Sequence, residues 1–200
     1  MSKGDDTRAL VLDAALALAS EEGLAGITIG RLADKVGMSK SGLFAHFASK
    51  ENLQAEVMRE AIDRFVAQVV SPALKARRGE ARVVALFERW LGWKDTLPGG
   101  CIFAVAAVEL DDKPCPARDV LLASQKDWID TLATAARIAV EEGHFKSTTD
   151  VSQFAHEVFC LGYGHLTFAR LLRDPRAEGR TRAAFDHILA RARRSRHAEA

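Results

Sequence analysis

Apolar residues recur along this chain at three- and four-residue steps, the spacing of a helix with one buried face. Nowhere do they alternate over a useful length, so strands are not expected. Leu10, Val11, Ala14, Ala15, Leu18 and Ala19 mark a first helix that Asp6-Thr7 can open and Gly23 close. Ile29, Leu32, Ala33 and Val36 mark a second, with Thr28 as N-cap and Gly37 at its end. Ser39 caps a third, where Leu43 and Phe47 form a buried pair and leave Lys40, Ser41, Phe44 and His46 on the other side. A helix of two turns is stable only when other elements hold it, so the pattern predicts a compact three-helix unit. Ser49 then caps a longer helix, with Leu53, Val57, Met58, Ala61, Ile62, Phe65 and Val69 inward and Ser71-Pro72 as its stop. Nothing in the pattern interrupts this helix at the edge of the three-helix unit, so it reads as the link to the remainder.

Further on, Val83, Val84, Phe87, Trp90 and Leu91 predict a helix after the turn at Arg77-Arg78-Gly79. Residues 101–110 are apolar on every side until Glu109, the mark of a helix at the centre of a bundle. Leu121, Leu122, Trp128, Ile129, Leu132, Ala136 and Val140 outline a long helix closed by Gly143. After the capping run Thr148-Thr149-Asp150, two apolar faces share one helix. Phe154, Val158, Leu161, His165, Phe168 and Leu172 form one; Val151, Ala155, Phe159, Gly162, Leu166 and Ala169 form the other. A last helix carries Ala184, Phe185, Ile188, Leu189 and Ala192. Two closing helices with apolar surface to spare suit a two-fold four-helix interface, with Gly162 and Gly164 permitting close approach there. The expected fold is all-α.

Residues 28–50 predict a helix, a glycine turn and a short second helix with small and cationic residues at its start, which is a helix-turn-helix. Thr28, Ala33, Val36-Gly37, Ser39-Lys40-Ser41, Leu43-Phe44, His46-Phe47 and Ser49-Lys50-Glu51 together resemble the DNA-binding segment of the tetracycline-repressor family of bacterial transcriptional regulators. Where that family usually carries tyrosine this chain has Phe44, which has no phenol to offer a phosphate. The resemblance implies an N-terminal DNA-binding domain over residues 1–68 and a helical effector-binding and dimerisation domain over 69–200. It also implies a homodimer formed by the last two helices and release from DNA by a small-molecule effector. Thr28, Ser39, Lys40, Ser41, Gly42, Phe44, His46 and Lys50 are the expected DNA contacts. Lys40 and Lys50 would neutralise phosphates, and Lys40, Ser41, Phe44 and His46 would reach base edges. Gly42 would allow close backbone approach. Two-fold pairing predicts a near-palindromic double-stranded operator with half-sites about 34–36 Å apart, or a small multiple of that.

Composition narrows the alternatives. The chain has 200 residues, 48% hydrophobic and 28% charged, with net charge +1. That is ordinary globular composition and too balanced for a protein that holds DNA by bulk charge. Between residues 26 and 50, however, Arg31, Lys35, Lys40 and Lys50 face Asp34 alone. Cys101, Cys115 and Cys160 are odd in number and widely spaced, which fits a reducing cytosol rather than a disulfide framework. No leader or membrane-length apolar run stands out, so a cytoplasmic location and no membrane partner are expected.

No nucleophile elbow, phosphate loop or carboxylate pair is visible, so no catalytic residue and no cofactor are expected. His156-Glu157-Val158-Phe159-Cys160 is one residue from a zinc-protease helix, but Val158 and Phe159 make it read as core-facing, without a third ligand; no metal is expected. A sensing pocket is the better reading. Trp90, Trp93, Phe103, Trp128, Phe159 and Phe168 are bulky residues on helices that should surround residues 101–108. Cys101, Glu109 and His165 are the polar groups available to them. The opening Gly99-Gly100-Cys101-x-Phe103, followed by Glu109, also resembles the sensing domain of one subgroup of the family. The arginines Arg176, Arg180, Arg182, Arg191, Arg193, Arg194 and Arg196 read as a solvated end.

Overall fold

The computed structural model describes residues 3–194; Arg196 lies outside them. The first four helices are α1 (Lys3–Glu22), α2 (Ile29–Val36), α3 (Lys40–Phe47) and α4 (Lys50–Phe65). A π segment, Val66–Val70, and a short α5 (Ser71–Ala73) continue α4. Then come α6 (Glu80–Trp93), α7 (Ile102–Leu110), α8 (Pro116–Glu141), α9 (Val151–Leu166), a second π segment, Thr167–Leu171, and α10 (Ala177–Ala192). Among the described residues no strand forms, and extended pairing is confined to a bridge between Phe145 and Arg193.

The helix starts follow from local chemistry. Thr28, Ser39, Ser49 and Asp150 each accept backbone amides of the first turn they precede, which pairs donors that a helix start otherwise leaves open. Three expectations need correction. The first helix starts at Lys3, not at Asp6-Thr7, and its buried face is rotated: Leu10 is exposed, while Leu12 and Leu16 are buried. The helix after Ser49 is not uniform, because π turns replace α turns from Val66, and Pro72 sits in the opening turn of α5 instead of ending a helix. Helix α7 is not buried all round: Ile102, Phe103, Ala106 and Leu110 face inward, but Val108 is 84% exposed.

By packing, the chain forms two compact units: Met1–Val66 with Trp93–Gln125, and Ala67–Gly92 with Lys126–Ala200. This grouping does not follow a single cut after residue 68, because 93–125 packs with the N-terminal helices. In the first unit α1 contacts α2, α4 and α7, and α3 contacts both α2 and α4. Leu16, Leu24, Ile27, Leu32, Leu43, Leu53 and Met58 are fully buried there. In the second unit Phe87 stacks on Phe185, and α9 lies along α10. Contacts His165–Thr181 and Glu157–Arg191 show that α9 and α10 run antiparallel.

Candidate nucleic-acid interface and sensing residues

The hydroxyl of Thr28 accepts the Arg31 amide at 3.3 Å, and α2 ends at Gly37, whose φ of +69° is the left-handed closure the sequence expects. Two residues later Ser39 Oγ accepts the Gly42 amide at 3.1 Å and opens α3. Helix α3 closes at Ala48, which takes φ +61° without being glycine, and Ser49 restarts the chain by accepting the Asn52 amide. Leu43 and Phe47 are buried beneath α3, and the Arg8 guanidinium lies 5.2 Å from the Phe47 ring centroid. That anchoring leaves Lys40, Ser41, Phe44 and His46 exposed around the rest of α3. Thr28 and Ser39 are exposed beside them.

Two glycines fit this surface for reasons the sequence did not reveal. A Cβ on Gly42 would lie 3.1 Å from the capping Ser39 Oγ, so Gly42 protects the cap. A Cβ on Gly30 would lie 3.3 Å from Lys40 Cε, so the Lys40 stem rests over Gly30. The local cation excess is smaller than the count suggests. Arg31 makes a two-point ion pair with Glu22, and this guanidinium holds the Glu22 carboxyl below its ordinary range. Lys50 is half-buried, and its Nζ donates to the Ala25 carbonyl at 3.0 Å.

The sensing residues are divided between the two units. Trp93, Cys101, Phe103 and Glu109 belong to the first unit; Trp90, Trp128, Phe159, His165 and Phe168 belong to the second. Phe65, Trp93 and Phe103 pack with centroids 5.3–6.0 Å apart. Burial pushes the Cys101 thiol up, which suits a packed hydrophobe better than a nucleophile. Glu109 is committed to backbone: its carboxylate accepts the Leu24 and Ala25 amides at 2.7 and 2.5 Å. In the second unit Trp90 meets Trp128 edge-on at 5.4 Å and Phe159 at 6.1 Å. Tyr163 completes this aromatic group, 4.6 Å from Phe159; its place four residues further on the same helix was the signal available.

His165 is buried and its Nδ1 lies 2.9 Å from Thr181 Oγ1. Thr181 spends its own proton on the Ala177 carbonyl, so Nδ1 carries hydrogen and donates. Phe168 is exposed, as the π segment leaves it on the outside with Leu171 and Leu172. His156 and Cys160 are not core-facing either; both are exposed, with Nε2 and Sγ 3.5 Å apart. Among the described residues no group of three or more His, Cys, Asp or Glu is placed to hold a metal. Between α9 and α10 runs an open groove of about 1070 Å³ lined by Cys160, Leu161, Gly164, Phe168, Ala184, His187 and Ile188, among others.

An anchored short helix with exposed Lys, Ser, aromatic and His side chains, preceded by a capped helix and a tight turn, defines a helix-turn-helix DNA-binding regulator. Residues 11–57 match the family model of the bacterial regulatory proteins, tetR family, and residues 79–185 match the tetracyclin repressor-like C-terminal domain. The chain belongs to the tetracycline-repressor family of transcriptional regulators. It is 29% identical over 150 residues to the HTH-type transcriptional repressor KstR2 of Mycobacterium tuberculosis, covering 72% of each chain. Its fold is that of a TetR transcriptional regulator from Chloroflexus aurantiacus (TM-score 0.86, 24% identity, 98% and 100% of the two chains). AibR, solved in complex with isovaleryl coenzyme A and operator DNA, also shares the fold (TM-score 0.69, 21% identity, 92% and 96% covered).

Proposed function

We propose that this regulator is a homodimeric repressor, released from a near-palindromic operator when a small molecule binds. Residues 1–68 read the DNA, and residues 69–200 take the effector and pair the subunits. The observation that carries this reading is α3: Leu43 and Phe47 pin it from behind, while Lys40, Ser41, Phe44 and His46 are each exposed. Thr28, Ser39 and Lys50 contribute backbone-phosphate contacts at its flanks, with Gly42 keeping the Ser39 cap intact. AibR, a protein of this fold solved with both isovaleryl coenzyme A and operator DNA, supports an effector-linked role.

Pairing runs through α9 and α10. Their groove presents half-buried Leu161, Ala184 and Ile188 beside Phe168, which is 48% exposed, and such apolar surface calls for a partner. The effector contacts the aromatic group of Trp90, Trp128, Phe159 and Tyr163, where stacked rings and indole N–H groups suit an organic ligand. The effector must favour the DNA-incompetent arrangement, because only a difference in affinity between two states can release the operator. No helix among the described residues is long and apolar enough to cross a membrane; a regulator that works on operator DNA fits a cytoplasmic location. It acts by binding, with no catalytic step.

The deciding experiment is a mobility-shift assay on the DNA flanking its own coding region, with salt titration and unrelated duplex as competitor. A shift that survives excess competitor is expected. Loss of the shift at equal competitor would reduce the protein to a non-specific binder.

A further inference from the structure

Glu109 lies far from α1 in sequence, yet it closes the turn between α1 and α2. Its two carboxylate oxygens take the consecutive amides of Leu24 and Ala25. The carbonyls of the same two residues are taken from the other side: Gln54 Nε2 donates to Leu24 O at 2.7 Å and Lys50 Nζ to Ala25 O at 3.0 Å. The dipeptide is thus held by α7 through its donors and by α4 through its acceptors. The seat is shaped for the carboxylate, since a Cβ on Gly23 would stand 2.7 Å from Glu109 Oε2. At the start of the same stretch the Gly99 amide donates to Ser20 Oγ at 3.0 Å, and a Cβ on Gly99 would overlap the Ser20 carbonyl. Residues 99–109 therefore grip the end of α1 at two places.

We infer that Glu109 is the positioning residue through which α7 sets the α1–α2 turn and, by way of Lys50, the first turn of α4 beside the DNA-reading helix. This rests on the DNA-binding function proposed above and adds the route by which a displacement of α7 reaches it. A carboxylate bonded to two amides is a stiff link, because charge-assisted hydrogen bonds are short and directional. If the turn moves with α7, linkage requires the converse: DNA bound at α3 must change the behaviour of α7.

Hydrogen–deuterium exchange tests this with the full chain, using as probe the duplex flanking its own coding region. In the unsubstituted protein that duplex should slow exchange in residues 28–50 and also, by roughly twofold or more, in residues 101–112. In Glu109→Gln, which sets an amide donor against a backbone donor, residues 22–27 should exchange about tenfold faster without DNA. There the duplex should still protect 28–50 but no longer affect 101–112. The inference is overturned if 101–112 ignores DNA in the unsubstituted protein, or if it still responds in the Gln variant. Uniformly faster exchange across the Gln variant would also overturn it, reducing Glu109 to a general brace. A duplex that leaves 28–50 unprotected defeats the DNA-binding reading and this inference with it. Exchange in 22–27 then reports separately whether Glu109 holds the turn.

Discussion

Gly162 and Gly164 stand two residues apart on α9 and do different things. A Cβ on Gly162 would sit 2.1 Å from the Trp90 ring, whereas one on Gly164 meets nothing within 4 Å. Gly162 is therefore a seat for Trp90 within the subunit, not the surface contact its spacing suggests. Gly162→Ala should destabilise the protein by about 1–3 kcal/mol through overpacking and alter the near-UV signal of Trp90. Urea unfolding with circular dichroism checks both; an unchanged midpoint would show that the ring has room to move. Glu109 teaches the same lesson. From sequence it was a polar group at the end of an apolar helix, and nothing local reveals that its partners are backbone amides about 85 positions earlier. Side-chain-to-backbone contacts at long range leave no trace in spacing, whereas caps do, since donor and acceptor lie within three residues of each other.

At the scale of elements, the helix-turn-helix was legible because its signals are local: Thr28, Gly37 and Ser39 act on neighbouring backbone, and Leu43 with Phe47 needs only the helical period. The charge around it was less legible, because Arg31 is neutralised by Glu22 and Lys50 is engaged with Ala25. The two lysines should accordingly separate. Lys40→Ala is expected to lower the slope of log affinity against log salt by about one while leaving the melting temperature unchanged. Lys50→Ala should lower that slope and also the melting temperature, since it releases the Ala25 carbonyl. An unchanged slope in either variant removes that lysine from the contact set. At the start of α4, the amide of Glu51 itself and then the Ser49 side chain hold the Glu51 carboxyl below its ordinary 4.5. A depressed carboxyl stabilises the folded state above that value, and the contribution fades as pH falls through the lower, folded value. The melting temperature of Glu51→Gln should thus lie below that of the unsubstituted protein at pH 7, and the gap should close in acid. A gap that persists once the carboxyl is protonated in both states would assign the effect to packing.

For the whole molecule, the all-helical architecture followed from the period of apolar residues, but the grouping of helices did not. That 93–125 packs with the N-terminal helices depends on contacts such as Ser20–Gly99 and Phe65–Phe103, which join residues distant in sequence. Assembly can be probed without disturbing either unit. Gly164 lies open in the α9–α10 groove, and leucine is a better helix former there. Gly164→Leu should preserve or raise the stability of the subunit yet weaken self-association by at least about tenfold, since a bulky side chain would stand on the surface proposed for pairing. Sedimentation equilibrium distinguishes the outcomes; an unaltered dimer would place its interface elsewhere.

The wide turns at Val66–Val70 carry one more implication. From Leu53 the interior positions follow in strict fours: Val57, Ala61, Phe65, Val69, Ala73. In an unbroken α-helix each such step overshoots a full revolution by about 40°, so five steps would carry the seam about 200° around the axis. About 120° of that accrues before Phe65, in regular α-helix; looser winding from Val66 absorbs the remaining about 80° and keeps Val69 and Ala73 under cover. The surplus residue is therefore a phase correction, and excising any one position of this stretch would rotate everything beyond it by about 100°. Such a deletion, innocuous by composition, should melt well below the full-length chain.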